Sequence, residues 1–365
     1  MAIKIFDVVI IGGGQAALSA GYYLRRAGLD FIILDNQQKA GGAWNHAWPS
    51  LRLFSPAMLS SLPGTLFSTI KTDVYPHRDE VIRYLERYEQ HYQLPVYRPH
   101  QVKTVLRDIE HNCLKISDGK YSWLAKTVIS ATGNWSHPII PAMPGAQAFG
   151  GEQCHSAFYQ GPEHYQGKTV LVVGGGNSGA QIFAELDEVA NALWVTREPP
   201  LFLPDEVDGR VLFERATARI TGLAAGLTPA QLAAQPVGGI GDIVMVPPVK
   251  AARARGVLHT HPMFSHFNAD GVVWQDGKTQ AVDAVIWCTG FQPELQHLAA
   301  LDLIEANGKV LVQDGQSLKE PRVWCFGYGD WASPGSATLI GAGRSARDNI
   351  PKLVEFIRTG LSSRG

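Results

Sequence analysis

The sequence predicts an α/β fold in which parallel sheets are flanked by helices, and three observations predict it. Apolar, strand-like runs alternate with helix-like segments along the 365 residues. Two of those runs lead straight into glycine-rich turns that open a helix, VVIIGGGQAAL near the start and KTVLVVGGGNSGAQIF near the middle. The two halves are also laid out alike: Thr132 of SATG follows Gly12 at nearly the distance at which Thr289 of WCTGF follows Gly174. Each half thus begins with strand, glycine loop and helix, and ends with strand and a Thr-Gly turn. Two Rossmann-like dinucleotide-binding units are expected.

Strands are expected at 5–11, 31–35, 126–131, 168–173, 192–196, 283–288 and 322–327, where apolar residues cluster between turn signals. Val81, Tyr84, Leu85, Tyr88 and Tyr92 recur at helical spacing in RDEVIRYLERYEQHY, a stripe that reads as core packing. Residues 137–166 are rich in proline and glycine, as a linker between units would be. Residues 221–241 are rich in Gly and Ala, with Thr228 and Gln231 spaced as a capping box, and are expected to form a helical insert.

Composition removes several function classes. The 32 basic and 33 acidic residues leave a net charge of −1 with no long run of either sign, which argues against nucleic acid or an anionic membrane as main partner. Lys250, Arg253 and Arg255 form a small basic cluster that reads as a solvated helix face. The first strand begins by Ile5, so no signal peptide is expected. No apolar run approaches the ~20 residues of a membrane span, and a cytoplasmic location is expected. Cys113, Cys154, Cys288 and Cys325 stand apart without a CxxC pair, so neither a redox dithiol nor a zinc knuckle is expected. His259, His261 and His266 lack a carboxylate or cysteine partner at familiar spacing, and no metal is expected. Neither GxSxG nor GxxxxGK[ST] occurs, which argues against a serine hydrolase or a P-loop enzyme.

The first loop reads GxGxxA with Gly12, Gly14 and Ala17, and Gln15 and Ala16 open the helix. Such glycines allow a tight turn and let backbone N–H groups approach a pyrophosphate. Asp35 stands about 20 residues on, at the end of the second strand, where an acid can take both ribose hydroxyls. The second loop is a full GxGxxG with Gly174, Gly176 and Gly179, and Asn177 and Ser178 open its helix. The offset that reaches Asp35 in the first unit reaches Arg197, after Thr196, in the second. A guanidinium there suits the 2′-phosphate of NADPH, while neighbouring Glu198 could take ribose hydroxyls, so NADPH and NADH are both expected. The alternative for Arg197 is an ordinary surface salt bridge.

GGAW at 41–44, with Gly42, Ala43 and Trp44, resembles the GGxW stretch that flavin-containing monooxygenases place beside their flavin. SATG at 130–133, with Thr132, and CTGF at 288–291 resemble their paired ATG turns. VWCFGYGDW at 323–331 is similar to their late GD motif, in which Asp330 would hold the ribityl chain. The following SATLIGAGRSARDNI resembles their final helix, whose N-terminus at Thr338 and Leu339 would face the flavin pyrimidine. Its Gly341-x-Gly343-x-x-Ala346 follows no convincing strand, so a third nucleotide site is rejected. Phe149-x-Gly151-xxx-His155-xxx-Tyr159 fits the family fingerprint FxGxxxHxxxY/F, and it stands just before the second glycine loop. The resemblance runs from Asp7 to about Ile357.

The resemblance implies FAD on the first loop, with Val102 among its contacts, and NADPH or NADH on the second. Residues 1–148 and 284–365 would form the FAD-binding domain, 149–166 the linker and 167–283 the NAD(P)H-binding domain. The reduced flavin would take up dioxygen as a flavin (hydro)peroxide and oxygenate a sulfide or amine, or convert a ketone in Baeyer–Villiger fashion. His155 and Tyr159 would couple the domains and keep the nicotinamide placed. The fingerprint ends in Tyr159-Gln160 where Baeyer–Villiger enzymes have Trp followed by Pro or Asp. SLRLFSP at 50–56 offers Ser55 where the classical monooxygenases carry an Asn that contacts flavin and nicotinamide. The chain is most similar to short bacterial members that accept either nicotinamide and oxidise sulfides and ketones; a homodimer is the family's habit. The competing readings are a flavoprotein reductase that passes electrons to a protein acceptor, an amino-acid N-hydroxylase and a nucleotide-sensing protein.

Overall fold

The computed structural model describes residues 4–67, 75–205, 218 and 242–360. The expected insert at 221–241, with Thr228 and Gln231, lies outside the described residues. Strand β1 (Ile5–Ile11) ends in four fully apolar, buried residues and runs into helix α1 (Gln15–Arg26) through Gly12–Gly14. Alongside it lie β2 (Phe31–Leu34) and then β3 (Val96–Tyr97) on one flank, and β6 (Ser122–Ser130) and then β17 (Val323–Cys325) on the other. All five are parallel. The N-terminal half of β6 carries an antiparallel hairpin, β4 (Thr104–Asp108) and β5 (Cys113–Ser117), which is why that strand starts earlier than expected. Two short antiparallel strands, β15 (Val312–Gln313) and β16 (Gln316–Ser317), finish the β17 edge.

The second sheet is wholly parallel in the order β10 (Thr260–Pro262), β9 (Asn191–Thr196), β8 (Thr169–Val173), β14 (Ala284–Trp287) and β7 (Glu152–His155). A small antiparallel sheet, β11 (His266–Phe267), β12 (Gly271–Val273) and β13 (Thr279–Ala281), accompanies it. Two expectations are corrected here. Residues 284–287, assigned to the FAD-binding half, are the fourth strand of the second sheet, and 152–155, assigned to the linker, are its fifth. The reason is burial: Ala284–Trp287 are inaccessible throughout, so this run needs a strand on each side, and it finds them in β8 and β7.

Among the helices, α2 (Arg78–His91) buries the expected stripe of Val81, Tyr84, Leu85 and Tyr88. Its start is fixed by Glu80, which accepts a hydrogen bond from the His77 backbone N–H at 2.8 Å. Helix α3 (Asn177–Leu186) follows the second glycine loop, α4 (Pro247–Ala254) packs on α3, and α5 (Leu339–Glu355) packs on α1. Two glycines of α5 allow close approaches by other segments. A Cβ on Gly341 would lie 1.9 Å from the Gly335 carbonyl oxygen, and one on Gly343 would lie 3.2 Å from Pro63 Cδ. Among the described residues no helix is long and apolar enough to cross a membrane.

Gly341→Ala is therefore expected to destabilise the fold by about 1–3 kcal/mol through overpacking at the start of α5, as read from urea unfolding. A change under about 0.5 kcal/mol would show that this close approach is not required.

Candidate active site

The two glycine loops are built in the same way. Gly12 has φ +105°, and a Cβ on it would lie 2.4 Å from the Ala131 carbonyl oxygen. Gly174 has φ +141°, and its Cβ would lie 2.3 Å from the Cys288 carbonyl oxygen. Ala131 and Cys288 are the residues before Thr132 and Thr289. Their N–H groups donate to the strand residues that precede the loops, to Ile11 O at 2.8 Å and to Val173 O at 2.7 Å. Each loop is thus seated against the turn that ends a neighbouring strand. At both sites the helix starts on a glycine, Gly14 or Gly176, and no side chain caps its first N–H groups. These donors and the helix dipole are free for an anion.

Further close approaches complete each cradle. A Cβ on Gly42 would lie 2.7 Å from Gly14 Cα, and one on Gly13 would lie 2.2 Å from Asp35 Oδ2. In the second unit a Cβ on Gly179 would lie 2.2 Å from Gly174 O, and Trp194 Nε1–H donates to that carbonyl at 2.8 Å. Backbone crowding of this kind, beside uncapped helix N-termini, fits a pyrophosphate at each loop.

A cavity of ≈ 550 Å³ opens over the first loop. Every residue expected at the FAD site lines it except Asp330, Thr338 and Leu339: Gly12, Gly14, Gln15, Ala16, Asp35, Gly42, Ala43, Trp44, Val102 and Thr132 all do. Asp330 is exposed and closes its own loop, with Oδ1 accepting from Gly335 N–H at 2.9 Å. Thr338 caps α5, with Oγ1 accepting from Gly341 N–H at 3.0 Å, and it is the preceding Ala337 that reaches the cavity. Gln15 joins three segments of the wall. Its Nε2 donates to Ala337 O at 2.7 Å, and its Oε1 accepts from Trp44 Nε1 at 3.0 Å.

Asp35 is 2% exposed and does not stand alone. Arg98 Nε donates to its Oδ2 at 2.7 Å, while the Arg98 Nη atoms donate to both Glu89 oxygens at 2.7 Å. One guanidinium therefore bridges two carboxylates beside the cavity. Under the SATG turn lies a polar network that the sequence reading missed. His297 is fully buried and bonds Ser130 Oγ at 2.9 Å; Tyr328 OH bonds Ser130 Oγ and also Thr132 Oγ1, the latter at 2.6 Å. Burial pushes His297 down to about 4, with Glu294 acting weakly the other way, so the ring is neutral at pH 7. Trp135, stacked on His46 at 3.7 Å, and Phe291 form further wall. Both stand within three residues of a Thr-Gly turn, which is the signal that could have found them.

Ser55, His155 and Tyr159, the three residues that the resemblance brings to the reaction centre, do not line the cavity. Ser55 Oγ bonds Ser60 Oγ at 2.8 Å. His155 is buried at the end of β7, its Nδ1 accepts from Ala157 N–H at 3.1 Å, and its ring meets Phe291 edge-on at 4.9 Å. Burial pushes its pKa below the usual histidine range, with the Gly290 carbonyl pulling the other way. Tyr159 is fully buried, donates to Glu185 Oε2 at 3.2 Å and has its phenol pushed far up by burial. The fingerprint pair is thus packed inside the protein, His155 behind the cavity-lining Phe291 and Tyr159 on Glu185, and neither lines the cavity itself.

At the second loop Thr196 is buried, its methyl 3.5 Å from where a Gly175 Cβ would stand. Arg197 is exposed and makes no ion pair among the described residues. Ser178 lies in the first turn of α3. The Asn177 side chain is spent on the protein: Nδ2 donates to Asp242 O and Oδ1 accepts from Val244 N–H, both at 2.9 Å.

Residues 9–202 match the pyridine nucleotide-disulphide oxidoreductase family. A flavin-containing monooxygenase from Stenotrophomonas maltophilia is 47% identical and superimposes with a TM-score of 0.86, over 97% of this chain and 99% of that one. The chain belongs to the flavin-containing monooxygenases. This monooxygenase is also 31% identical to a CzcO-like oxidoreductase of Geobacillus kaustophilus, over 85% of this chain and 88% of the relative. It shares its fold with cyclohexanone monooxygenase at 17% identity, with a TM-score of 0.68 over 98% of this chain and 88% of that one. It is an NAD(P)H-dependent flavoprotein oxidoreductase whose cofactors are FAD and NAD(P)H.

Arg98→Met strands Asp35 and Glu89 and is expected to cost about 3–5 kcal/mol in urea unfolding; a loss below about 1 kcal/mol would mean that the pair is solvated. The His297 contribution to stability is fully present above its unfolded value of 6.5 and declines as pH falls toward about 4, because only the unfolded chain takes up the proton in that window. His297→Gln is expected to flatten the acid limb of the stability profile between those values, and an unchanged limb would assign it to other groups.

Proposed function

We propose that this flavin-containing monooxygenase oxygenates small organic molecules, sulfides and ketones first, with NADPH or NADH as reductant and dioxygen as the oxygen source. Bound FAD would supply both hydride acceptance and oxygen activation. The chain's own part is placement. The first glycine loop and the α1 N-terminus take the FAD pyrophosphate, and Asp35 takes the adenosine ribose, with Arg98 holding it. The second loop and the α3 N-terminus take the nicotinamide dinucleotide, and Arg197 meets a 2′-phosphate when one is present.

The observation that carries the reading is the cavity's far wall. Beyond Thr132 it continues to Trp135 and Phe291, and Phe291 rests on the fingerprint histidine. Two aromatic rings set among the polar Asn134, Ser136, His137 and Glu294, beside the flavin loop, suit a small soft nucleophile or a ketone. The four cysteines are free, and none belongs to a CxxC pair, so a dithiol relay to a protein acceptor has less support.

Two measurements test the proposal. Arg197→Ala is expected to raise KM for NADPH about tenfold or more and to leave KM for NADH nearly unchanged; equal effects on both would remove Arg197 from the 2′-phosphate site. With NADH and either methyl phenyl sulfide or a cyclic ketone, chromatography is expected to show sulfoxide and lactone. Steady NADH consumption with neither product would favour the reductase.

A further inference from the structure

The joint between the two sheets is closed by one carboxylate that the sequence reading did not single out. Two side chains of α3 reach the segment 48–54, which follows the GGAW turn. Gln181, 3% exposed, accepts from Arg52 N–H and donates to Arg52 O, each at 3.4 Å, in the manner of an added strand. One turn later Glu185 accepts from Ser50 Oγ at 2.6 Å through Oε1 and from Tyr159 OH at 3.2 Å through Oε2. Trp48, 5% exposed, meets the Tyr159 ring edge-on at 6.3 Å, and Tyr165 stacks on Tyr159 at 6.0 Å. Burial favours the neutral form of Glu185, and the hydrogen bonds from Ser50 and Tyr159 favour its anion. A half-buried carboxylate with two donors from separate parts of the chain is a built junction.

Its placement gives it a role. Glu185 lies on the helix that opens at the second glycine loop. Ser50 lies on the segment that leaves Trp44, a wall of the first cavity tied to Gln15. Tyr159 is the last residue of the fingerprint. We propose that Glu185 is a positioning residue: by gripping Ser50 and Tyr159 at once, it fixes the nicotinamide helix against the flavin cavity and sets the approach of one cofactor to the other. The fingerprint tyrosine then acts through Glu185, as the donor that orients its carboxylate. This rests on the proposed assignment of the two loops.

The test compares Glu185→Ala, Glu185→Gln and Tyr159→Phe with the unaltered holoenzyme. Gln181 keeps its grip on Arg52 in all three. FAD content and melting temperature report whether each variant is folded and loaded. In anaerobic stopped-flow mixing with NADH, Glu185→Ala and Tyr159→Phe are expected to lower the limiting rate of flavin bleaching about tenfold or more, with the NADH dissociation constant changed less than about threefold. Glu185→Gln keeps one acceptor and is expected to recover part of the rate. Independently of turnover, amide hydrogen exchange over 48–54 is expected to rise about fivefold or more in Glu185→Ala, with β1 and β8 unchanged. Unaltered bleaching rates and exchange in loaded variants would overturn the proposal, as would a loss confined to the dissociation constant. A variant that loses FAD altogether would also count against it, since the grip would then serve stability. If the unaltered protein is bleached by neither NADH nor NADPH, the assignment of the loops fails instead, and with it the premise.

Discussion

A hydrogen atom where other residues carry a Cβ, at Gly12 and again at Gly174, is the constraint on which the rest of this structure depends. In each unit the first loop glycine sits at positive φ with its Cα pressed on the carbonyl that precedes a Thr-Gly turn. The same turn returns a hydrogen bond to the strand entering the loop. A side chain at either position would meet backbone and not a movable group, so the strand could not bend into its helix there. With the bend in place, α1 and α3 present uncapped N-termini at the carboxyl ends of their parallel strands, where an α/β sheet binds its ligands. The two halves of the molecule are one device used twice.

What differs between the copies is electrostatic. In the first, the acid at the end of β2 is buried and paired with Arg98, which also holds Glu89, so one cation is shared between two fixed carboxylates. In the second, the equivalent place carries Arg197, exposed and unpaired among the described residues. A paired acid suits hydroxyls that donate to it, and a free guanidinium suits an anion. On the proposed assignment, the same fold takes two dinucleotides with opposite charges at this one position. Between the copies stand His155 against Phe291 and Tyr159 on Glu185, a ring contact and a polar one.

Much of this was legible in the sequence because local rules govern it. Strand and loop patterning located β1, β2, β8 and β9 and both cradles, since these features depend on residues a few positions apart, and the family resemblance added Gly42–Trp44, Val102 and Thr132 of the cavity wall. Sheet membership was not legible for 152–155 and 284–287: a four-residue apolar run looks the same whichever sheet receives it, and only burial between β8 and β7 decides. Long-range polar partners were equally hidden. Arg98 reaches Asp35, and Glu185 reaches Ser50, across stretches of chain with no periodic signal. The fingerprint gave the positions of His155 and Tyr159 but not their work, because work at a joint depends on what is packed against it. Asp330 shows the converse: a motif placed it at the cofactor, and its carboxylate closes a turn.

The central claim, that the paired cofactor sites serve oxygen transfer, is tested most directly with isotopically labelled dioxygen. The protein is supplied with NADH and methyl phenyl sulfide under heavy oxygen gas, and the sulfoxide is examined by mass spectrometry. One heavy oxygen atom is expected in the sulfoxide, with close to one sulfoxide per NADH consumed. Unlabelled product, or NADH consumed with stoichiometric hydrogen peroxide and no sulfoxide, would contradict that claim.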